Sequence, residues 1–133
     1  MTPAPTAPPD IPARVESAVL AAADRQARDL RVLRLGAVTS FTEYFVLASG
    51  TNERQVQAIA DAVEERLRTA GVRPLNIEGH NTGHWVLLDY GDFLVHVFTE
   101  ERRRFYGLER LWADAPDETE RFAPPAPVRG AGG

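Results

Sequence analysis

The sequence contains no cysteine and no lysine. Without cysteine the chain cannot form disulfides, use a thiol nucleophile or hold a metal through thiolates, and this absence agrees with a reducing compartment. All 15 basic residues are arginines, so a Schiff-base lysine and a P-loop lysine are excluded as well. Enzyme classes that depend on a catalytic thiol, a Schiff-base lysine or a P-loop lysine are therefore excluded.

Long apolar stretches are also absent. No run reaches the roughly 18 apolar residues that a membrane-spanning helix needs, and the N-terminal MTPAPTAPPD has neither the charged start nor the apolar stretch of a secretory signal. We therefore expect a cytoplasmic protein with no membrane partner. A length of 133 residues and a hydrophobic content of 44% predict one domain with one real core.

The charge balance is acidic, with a formal net charge of −4 at pH 7. Proteins that bind long stretches of nucleic-acid backbone owe their affinity to clustered positive charge, so this balance favours a basic protein surface as the main partner. A compact basic cluster, RRR, stands at 102–104. Arginine is suited to bidentate phosphate contacts, so a minor RNA contact is one interpretation of this cluster. A solvated helix face paired with nearby glutamates is the other.

Both ends of the chain are rich in proline and offer little to bury. Residues 1–10 hold four of the 10 prolines, and residues 113–133 mix proline, glycine and acids. Such composition predicts disorder. We therefore expect a disordered N-terminal extension over 1–10, a folded domain over 11–112 and a disordered tail over 113–133.

Hydrophobic periodicity divides the central part of the chain into helices and strands. It predicts helices over 11–27 and 51–71, strands over 30–35, 44–49 and 73–79, a hairpin over 84–98, and short helical turns over 100–112. Asp10 and Thr51 are the predicted N-caps, and Gly71 is predicted to follow the end of the second helix. Gly107 interrupts the last helical segment. These elements predict an α/β fold with a sheet of about five strands and helices packed on it.

The segment HWVLLDYGDFLVHVF at 84–98 contains two apolar runs around the turn Gly91-Asp92. A two-residue loop pairs Tyr90 with Phe93 and sets the register of every further pair, and alternate residues then point to opposite faces. The first face should pack against the helices, because it is apolar throughout: Val86, Leu88, Tyr90, Phe93, Val95 and Val97. The second face carries Trp85 opposite Phe98, Leu87 opposite His96, and Asp89 opposite Leu94.

The second face mixes aromatic, charged and titratable side chains. A buried Asp or His needs a partner, and an exposed Trp-Phe pair is costly in a solitary monomer. This mixture favours a half-exposed binding surface, in which Trp85 is the kind of residue that dominates an interface. The alternative is that a helix covers this face too, which would make Trp85 an ordinary core residue.

The titratable residues give weak indications of chemistry. Asp89 and His96 are diagonal neighbours in this register, but the hairpin has no Cys or Ser to act as a nucleophile, so a structural pair is favoured. His80 and His84 are four residues apart, yet Asn-Thr-Gly between them predicts a loop rather than one helix face with two metal ligands. We therefore expect no catalytic residue, no metal and no cofactor.

The SGT at 49–51 stands between a strand and a helix, where backbone N–H groups can hold a phosphate. It resembles the Gly-Ser turn of nucleotidyltransferases, which also need a pair of metal-binding carboxylates. The following predicted strand offers only Glu78, and Asp89 and Asp92 straddle a tight turn at the wrong spacing. A magnesium-dependent nucleotidyltransferase that uses these residues is the alternative enzyme hypothesis.

Four long motifs, taken together, closely resemble the ribosomal silencing factor family, RsfS, also called Iojap. The resemblance covers roughly residues 11–115 and leaves out the proline-rich extension and the tail. Its motifs, in order, are EYFVLASGTNERQVQAIADAVEE at 43–65, PLNIEG at 74–79, WVLLDYGDFLVHVF at 85–98 and RFYGLERLW at 104–112.

The resemblance implies a fold shaped like a nucleotidyltransferase, with a mixed sheet but without the catalytic carboxylates or the activity. It also implies a homodimer in isolation. The function implied is binding to the large ribosomal subunit through its ribosomal protein number fourteen, which blocks the small subunit and represses translation when nutrients are short. An assembly factor on immature large subunits is the alternative, with the same contacts but different timing.

The contact surface implied by the resemblance includes Trp85 and the apolar positions Tyr90 and Phe98. Trp85 and Phe98 are also neighbours in the predicted hairpin register, whereas Tyr90 falls on the other face. Glu100 and Glu101 follow the hairpin directly, and we expect them to complement a basic ribosomal protein and to speed the encounter.

Overall fold

The computed structural model describes residues 9–122. It contains five strands, five helices and one 3₁₀ turn, Leu35–Ala37. The strands are β1 (Arg28–Leu33), β2 (Tyr44–Gly50), β3 (Asn76–Glu78), β4 (Trp85–Asp89) and β5 (Phe93–Thr99). The helices are α1 (Ile11–Asp24), α2 (Glu53–Thr69), α3 (Glu100–Tyr106), α4 (Leu108–Leu111) and α5 (Thr119–Phe122). The predicted α/β class is confirmed.

The five strands form one mixed sheet in the order β1-β2-β5-β4-β3. The central pair, β2 and β5, is parallel, and the other neighbours are antiparallel. The predicted hairpin register is confirmed, because Trp85 pairs with Phe98, Leu87 with His96, and Asp89 with Leu94. The two-residue turn fixes this register, since one shifted residue would move every side chain to the wrong face.

The first face of the sheet packs against α1 and α2, as predicted. The six apolar residues predicted for this face of the hairpin all lie in one core cluster with Val15, Val19, Val56 and Ile59 of the two helices. Every residue of β2 is buried, because this strand lies in the middle of the sheet and is covered on both sides. Among residues 9–122, no helix combines the length and the apolar character needed to span a membrane.

Helix α2 is capped by Asn52 and not by Thr51, so the predicted cap is wrong by one residue. The Asn52 side chain accepts a hydrogen bond from the Gln55 backbone N–H at 2.8 Å. The Thr51 hydroxyl and N–H instead both reach the Gln55 side-chain oxygen, at 2.8 and 2.6 Å. Either residue type can cap a helix, and only the backbone path decides which one does. The other end is as predicted, since Gly71 follows the C-cap with a φ of 81°.

Loss of the true cap gives the first testable prediction. Asn52→Ala should lower the free energy of unfolding by about 1 kcal/mol, because the first turn of α2 loses a side-chain acceptor. Thr51→Ala, which leaves that bond in place, should cost clearly less. Urea unfolding of both variants measures the difference. An equal or larger cost for Thr51→Ala would contradict the assignment of the cap.

The prediction of disorder from residue 113 onward is wrong for residues 113–122, whereas residues 123–133 lie outside the described part of the chain. Backbone hydrogen bonds tie this segment to β1: the Glu118 N–H donates to the Val32 carbonyl at 2.8 Å, and the Arg34 N–H donates to the Pro116 carbonyl at 2.9 Å. Phe122 is only 4% exposed and packs against Tyr44. The segment pairs with the outer edge of β1, which is the end strand of the sheet and would otherwise be exposed. Composition alone does not predict this pairing. At the other end, Asp10 caps α1 as predicted, and residues 1–8 are not described.

Candidate functional site

The second face of the sheet carries a continuous network of aromatic rings, here called the aromatic network. Neighbouring ring centroids lie between 4.5 and 6.2 Å apart, which is the usual spacing of aromatic pairs. Its eight members are Phe41, Phe45, Trp85, His96, Phe98, Phe105, Tyr106 and Trp112. The rings come from β2, β4, β5, α3 and the loops beside them, so distant parts of the sequence build this one surface.

The aromatic network runs from buried rings to exposed ones. Phe45, His96 and Phe98 are buried, Trp85 and Trp112 are half-buried, and the remaining rings are exposed. Phe105 on α3 is 76% exposed, and Leu111 on α4 is 70% exposed. Neither earlier interpretation of this face is complete, because α3 and α4 cover only part of it. Large apolar side chains gathered on one face are typical of an interaction surface.

Trp85 lies between the buried and the exposed parts of the aromatic network. Its indole stacks at a tilt against Tyr106 and Phe98, with centroid distances of 4.5 and 5.6 Å. Its Nε1–H donates a hydrogen bond to His96 Nδ1 at 3.1 Å. The expected pairing of Asp89 with His96 is not formed, because Asp89 accepts instead from the Gly91 N–H at 2.8 Å. Asp89 therefore stabilises the hairpin turn.

His96 is a neutral, buried histidine. It is 4% exposed, and burial lowers its pKa from 6.5 to about 4 because the charged imidazolium is poorly solvated there. Phe45 lies edge-on to its ring, with a centroid distance of 4.5 Å. A neutral imidazole has one acceptor nitrogen, and in this structure that nitrogen receives the Trp85 N–H.

The buried His96 gives a prediction about pH. The unfolded imidazole takes up a proton near its ordinary pKa of 6.5, and the folded one only near 4. Stability from this group is therefore fully present above pH 6.5 and falls as the pH drops toward 4, by about 2 kcal/mol at pH 5. Urea unfolding at pH 7.5 and pH 5 should show a smaller difference for His96→Leu than for the wild-type protein. Equal differences for the two proteins would contradict this account.

Arg103, the middle residue of the basic cluster, is a structural residue. It is 8% exposed, its Nε donates to Glu109 at 2.8 Å, and its NH1 group donates to the Ser49 hydroxyl at 2.8 Å. Its guanidinium also lies over the Phe98 ring, 5.9 Å from the centroid. These contacts join α3 and α4 to β2 and β5. Of the three arginines, Arg104 is exposed and Arg102 is half-buried, so these two remain accessible for a phosphate contact.

The predicted contact residues are not all accessible in the single chain. Phe98 belongs to the buried part of the aromatic network and is completely buried. Tyr90 lies on the first face, is 6% exposed and stacks on Phe93. Its hydroxyl has no hydrogen-bond partner within residues 9–122, and burial, helped by the Glu64 carboxylate, raises its pKa. Of the three apolar residues, the structure therefore presents only Trp85 at the surface.

The two predicted acidic contacts differ in their surroundings. Glu100 forms an ion pair with Arg28 at 3.5 Å, so part of its charge is already compensated. Glu101 is exposed and has no ion pair within the described part of the chain. Glu101 is thus the acid that remains free to meet a basic partner.

The residues of the enzyme hypothesis have structural contacts. Ser49 is buried and accepts the hydrogen bond from Arg103, and Gly50 gives α2 room, since a Cβ there would stand 2.9 Å from Val56. His80 and His84 contact separate acids, Asp61 at 2.7 Å and Glu53 at 3.7 Å. Between residues 9 and 122, no group of three or more His, Asp or Glu side chains is placed to hold a metal ion.

Sequence reasoning missed Tyr106, Phe41 and Trp112 as members of the surface. Tyr106 lies against Trp85, and Phe41 lies 5.7 Å from Trp112. The available signal was weak: each is an aromatic residue next to, but outside, the regular apolar spacing. Their positions depend on how the segments after β5 and before β2 return to the sheet.

Comparison with known proteins gives a consistent result. Residues 8–131 match the family model described as RsfS, ribosomal silencing factor during starvation. The chain is 37% identical over 99 residues to the ribosomal silencing factor RsfS of Bacillus subtilis, a match that covers 74% of this chain and 84% of that protein. It is 32% identical over 89 residues to the Mus musculus protein named mitochondrial assembly of ribosomal large subunit protein 1, covering 65% of this chain and 39% of that protein.

A solved structure agrees with the sequence comparisons. The crystal structure of a protein from Chromobacterium violaceum matches with a TM-score of 0.77 and 36% sequence identity, covering 79% of this chain and 88% of that one. At this identity the likeness extends beyond the general shape of the sheet.

Proposed function

This chain belongs to the RsfS family of ribosomal silencing factors, and on that premise we propose that it binds the large ribosomal subunit through ribosomal protein number fourteen. The bound protein prevents the small subunit from joining and so represses translation in the cytoplasm. The mechanism needs no catalysis, because a folded domain at the meeting point of the two subunits excludes one of them by its volume.

The observation that carries this proposal is the position of Trp85 within the aromatic network. Interfaces are typically centred on a few aromatic anchors, with polar and charged residues around them. Trp85 is half-buried in the free chain and packs against Tyr106 of α3, which in turn contacts the exposed Phe105. A surface of this kind supports a specific complex if it buries about 1,200–2,000 Å² in total.

Charge supports a basic protein partner with a small contribution from RNA. Glu101 at the start of α3 is free to attract a basic surface, whereas Arg102 and Arg104 on the same helix could contact ribosomal RNA phosphates. Charges at the rim of an interface act mainly on the rate of association. We therefore propose that ribosomal protein number fourteen is the main contact and that RNA phosphate is a minor one.

A binding assay with isolated ribosomal protein number fourteen tests the proposed partner. This ribosomal protein, immobilised on a biosensor, should bind the full chain saturably. Glu101→Gln removes one charge at the rim of the interface, so it should slow association by about two- to fivefold and change dissociation little. Glu65→Gln, at an exposed position of α2, is the matched control and should leave the rates unchanged. A full chain that binds large subunits but not this isolated protein would contradict the assignment of the partner.

A role in assembly is the second candidate function. It is supported by the Mus musculus relative, whose name refers to assembly of the ribosomal large subunit. The two roles use the same surface and differ in timing. Quantifying the chain on precursor and mature large subunits from growing and from starved cells separates them. An assembly factor is found on precursors in growing cells, and a silencing factor on mature subunits in starved cells.

We also propose that the free protein is a homodimer. Exposed Phe105 and Leu111 offer apolar area that a second copy could cover. If this area overlaps the ribosome-binding surface, binding must first separate the dimer. Sedimentation velocity over a range of concentrations should show a monomer–dimer equilibrium, and added ribosomal protein number fourteen should then shift it toward monomers.

A further inference from the structure

The indole N–H of Trp85 is used inside the protein. It donates to His96 Nδ1 at 3.1 Å, which is a normal length for a hydrogen bond between two nitrogens. An indole has this single polar hydrogen and no acceptor. While the bond is made, the rest of the Trp85 indole ring presents only carbon atoms and their hydrogens to its surroundings.

The surroundings of His96 make this bond persistent. Its ring is held on β5 between Phe45 and Trp85, with centroid distances of 4.5 and 5.8 Å, and only 4% of the residue is exposed. Because Nδ1 accepts a hydrogen bond, the ring proton of the neutral form must be on Nε2. Nε2 has no partner within residues 9–122, so no other hydrogen bond holds the ring in the opposite tautomer.

We propose that the ribosomal partner recognises Trp85 as a purely apolar ring, and that His96 is the positioning residue that keeps the indole N–H turned into the protein. The chemistry that fits against Trp85 is then an aliphatic side chain, or the hydrocarbon stem of a partner Lys or Arg lying across the ring. A hydrogen-bond acceptor of the partner does not fit there. This inference rests on the proposed function, whose surface it describes in more detail.

The hydrogen bond from Trp85 to His96 favours binding because a buried polar group without a partner costs free energy. An indole N–H that faced an apolar partner would lose its water without gaining an acceptor, which weakens binding. Trp85 is only half-buried, so without His96 its ring could turn the N–H outward to water in the free protein. His96 thus sets the orientation of the Trp85 ring.

Affinity measurements on five variants test the proposal. Each full-length variant is titrated against purified large subunits and against isolated ribosomal protein number fourteen. Trp85→Ala should weaken binding at least about thirtyfold, because the anchor ring is lost. His96→Leu should weaken it about tenfold, and His96→Gln, whose side-chain oxygen can accept the N–H, should recover most of this loss.

The decisive variant replaces both partners of the bond. Trp85→Phe with His96→Leu keeps an aromatic ring and removes both polar groups, so it should bind within about tenfold of the wild-type protein. Binding as weak as that of Trp85→Ala would show that the partner needs the N–H and would overturn the inference. If Trp85→Glu bound like the wild-type protein, the second face of the hairpin would not be the binding surface, and this inference would fail. If the wild-type chain bound neither large subunits nor the isolated protein, the proposed function itself would fail.

A spectroscopic measurement on the wild-type chain keeps the proposal testable if a variant misfolds. In the ¹⁵N-labelled protein, the scalar coupling between Trp85 Nε1 and His96 Nδ1 across the hydrogen bond should be observed both before and after addition of ribosomal protein number fourteen. His96 should show the shifts of the Nε2-protonated ring in both states. Loss of the coupling on binding would overturn the inference.

Discussion

Trp85→Glu is expected to weaken binding to the large ribosomal subunit by at least about a hundredfold. The substitution removes the ring that contacts Tyr106 and Phe98 and places a carboxylate in the middle of an apolar surface. The fold should survive, because Trp85 is only half-buried. The lost stacking and the unpaired His96 acceptor should lower the free energy of unfolding by about 1–3 kcal/mol. Co-sedimentation with purified large subunits, together with urea unfolding, measures both effects.

Leu75→Glu is the matched control for this experiment. Leu75 is 76% exposed and stands just before β3, at the edge of the sheet and outside the aromatic network. The Leu75→Glu substitution brings the same change of charge as Trp85→Glu and a similar loss of apolar surface, and it should leave binding to large subunits unchanged. If folded Trp85→Glu co-sedimented with large subunits as well as Leu75→Glu does, the second face of the hairpin would not be the binding surface.

Phe98→Ala is expected to lower the free energy of unfolding by about 3–5 kcal/mol. Phe98 lies on β5, is completely buried, and its ring centroid is 5.6 Å from that of Trp85 on the neighbouring strand β4. Removing its ring leaves a cavity beside Trp85 and takes away the ring over which the Arg103 guanidinium lies. A loss of this size is a large part of the stability of a small domain. Urea unfolding monitored by circular dichroism measures it.

Phe105→Ala provides the comparison for Phe98. Phe105 has the same side chain and belongs to the same aromatic network, but it is 76% exposed, so its loss should change the free energy of unfolding by less than about 0.5 kcal/mol. Phe98 would then support the binding surface from below, whereas Phe105 would be free to contact a partner. A cost below about 1 kcal/mol for Phe98→Ala would contradict its assignment to the core.

The sequence was most informative where a local rule sets a long stretch of structure. The turn Gly91-Asp92 fixes the pairing of Trp85 with Phe98, and the alternation of a strand then assigns every residue of the hairpin to one of two faces. The change of hydrophobic period after Gly50 likewise separates β2 from α2. These features depend on neighbouring residues, so they can be predicted without tertiary information.

The features that escaped prediction depend on contacts between distant segments. Arg103 stands in what is locally a basic surface run, and it is buried by contacts that include Ser49, 54 positions earlier in the chain. Phe122 follows a stretch of acids and proline, and its burial depends on Tyr44 at the start of β2. Tyr106 contacts Trp85 because α3 returns across the sheet. No periodicity in the sequence encodes such returns.

The candidate site was likewise predicted only in part. Trp85 and His96 could be placed on one face from the register alone, but their hydrogen bond depends on side-chain orientation, which the register does not set. Tyr90 was expected to join the contact surface only because of the family resemblance, and the register had already assigned it to the opposite face. The structure agrees with the register, so we leave Tyr90 out of the proposed contacts.

The central claim, that this protein works by occupying space between the ribosomal subunits, is tested most directly by subunit joining. Purified large and small subunits are mixed at a fixed magnesium concentration, with increasing amounts of the full chain or of Trp85→Glu, and separated on a sucrose gradient. The wild-type chain should move joined ribosomes into free subunits as its concentration rises and should migrate with the large subunit, whereas Trp85→Glu should do neither. Unchanged joining at a concentration that saturates the large subunit with wild-type protein would contradict the claim.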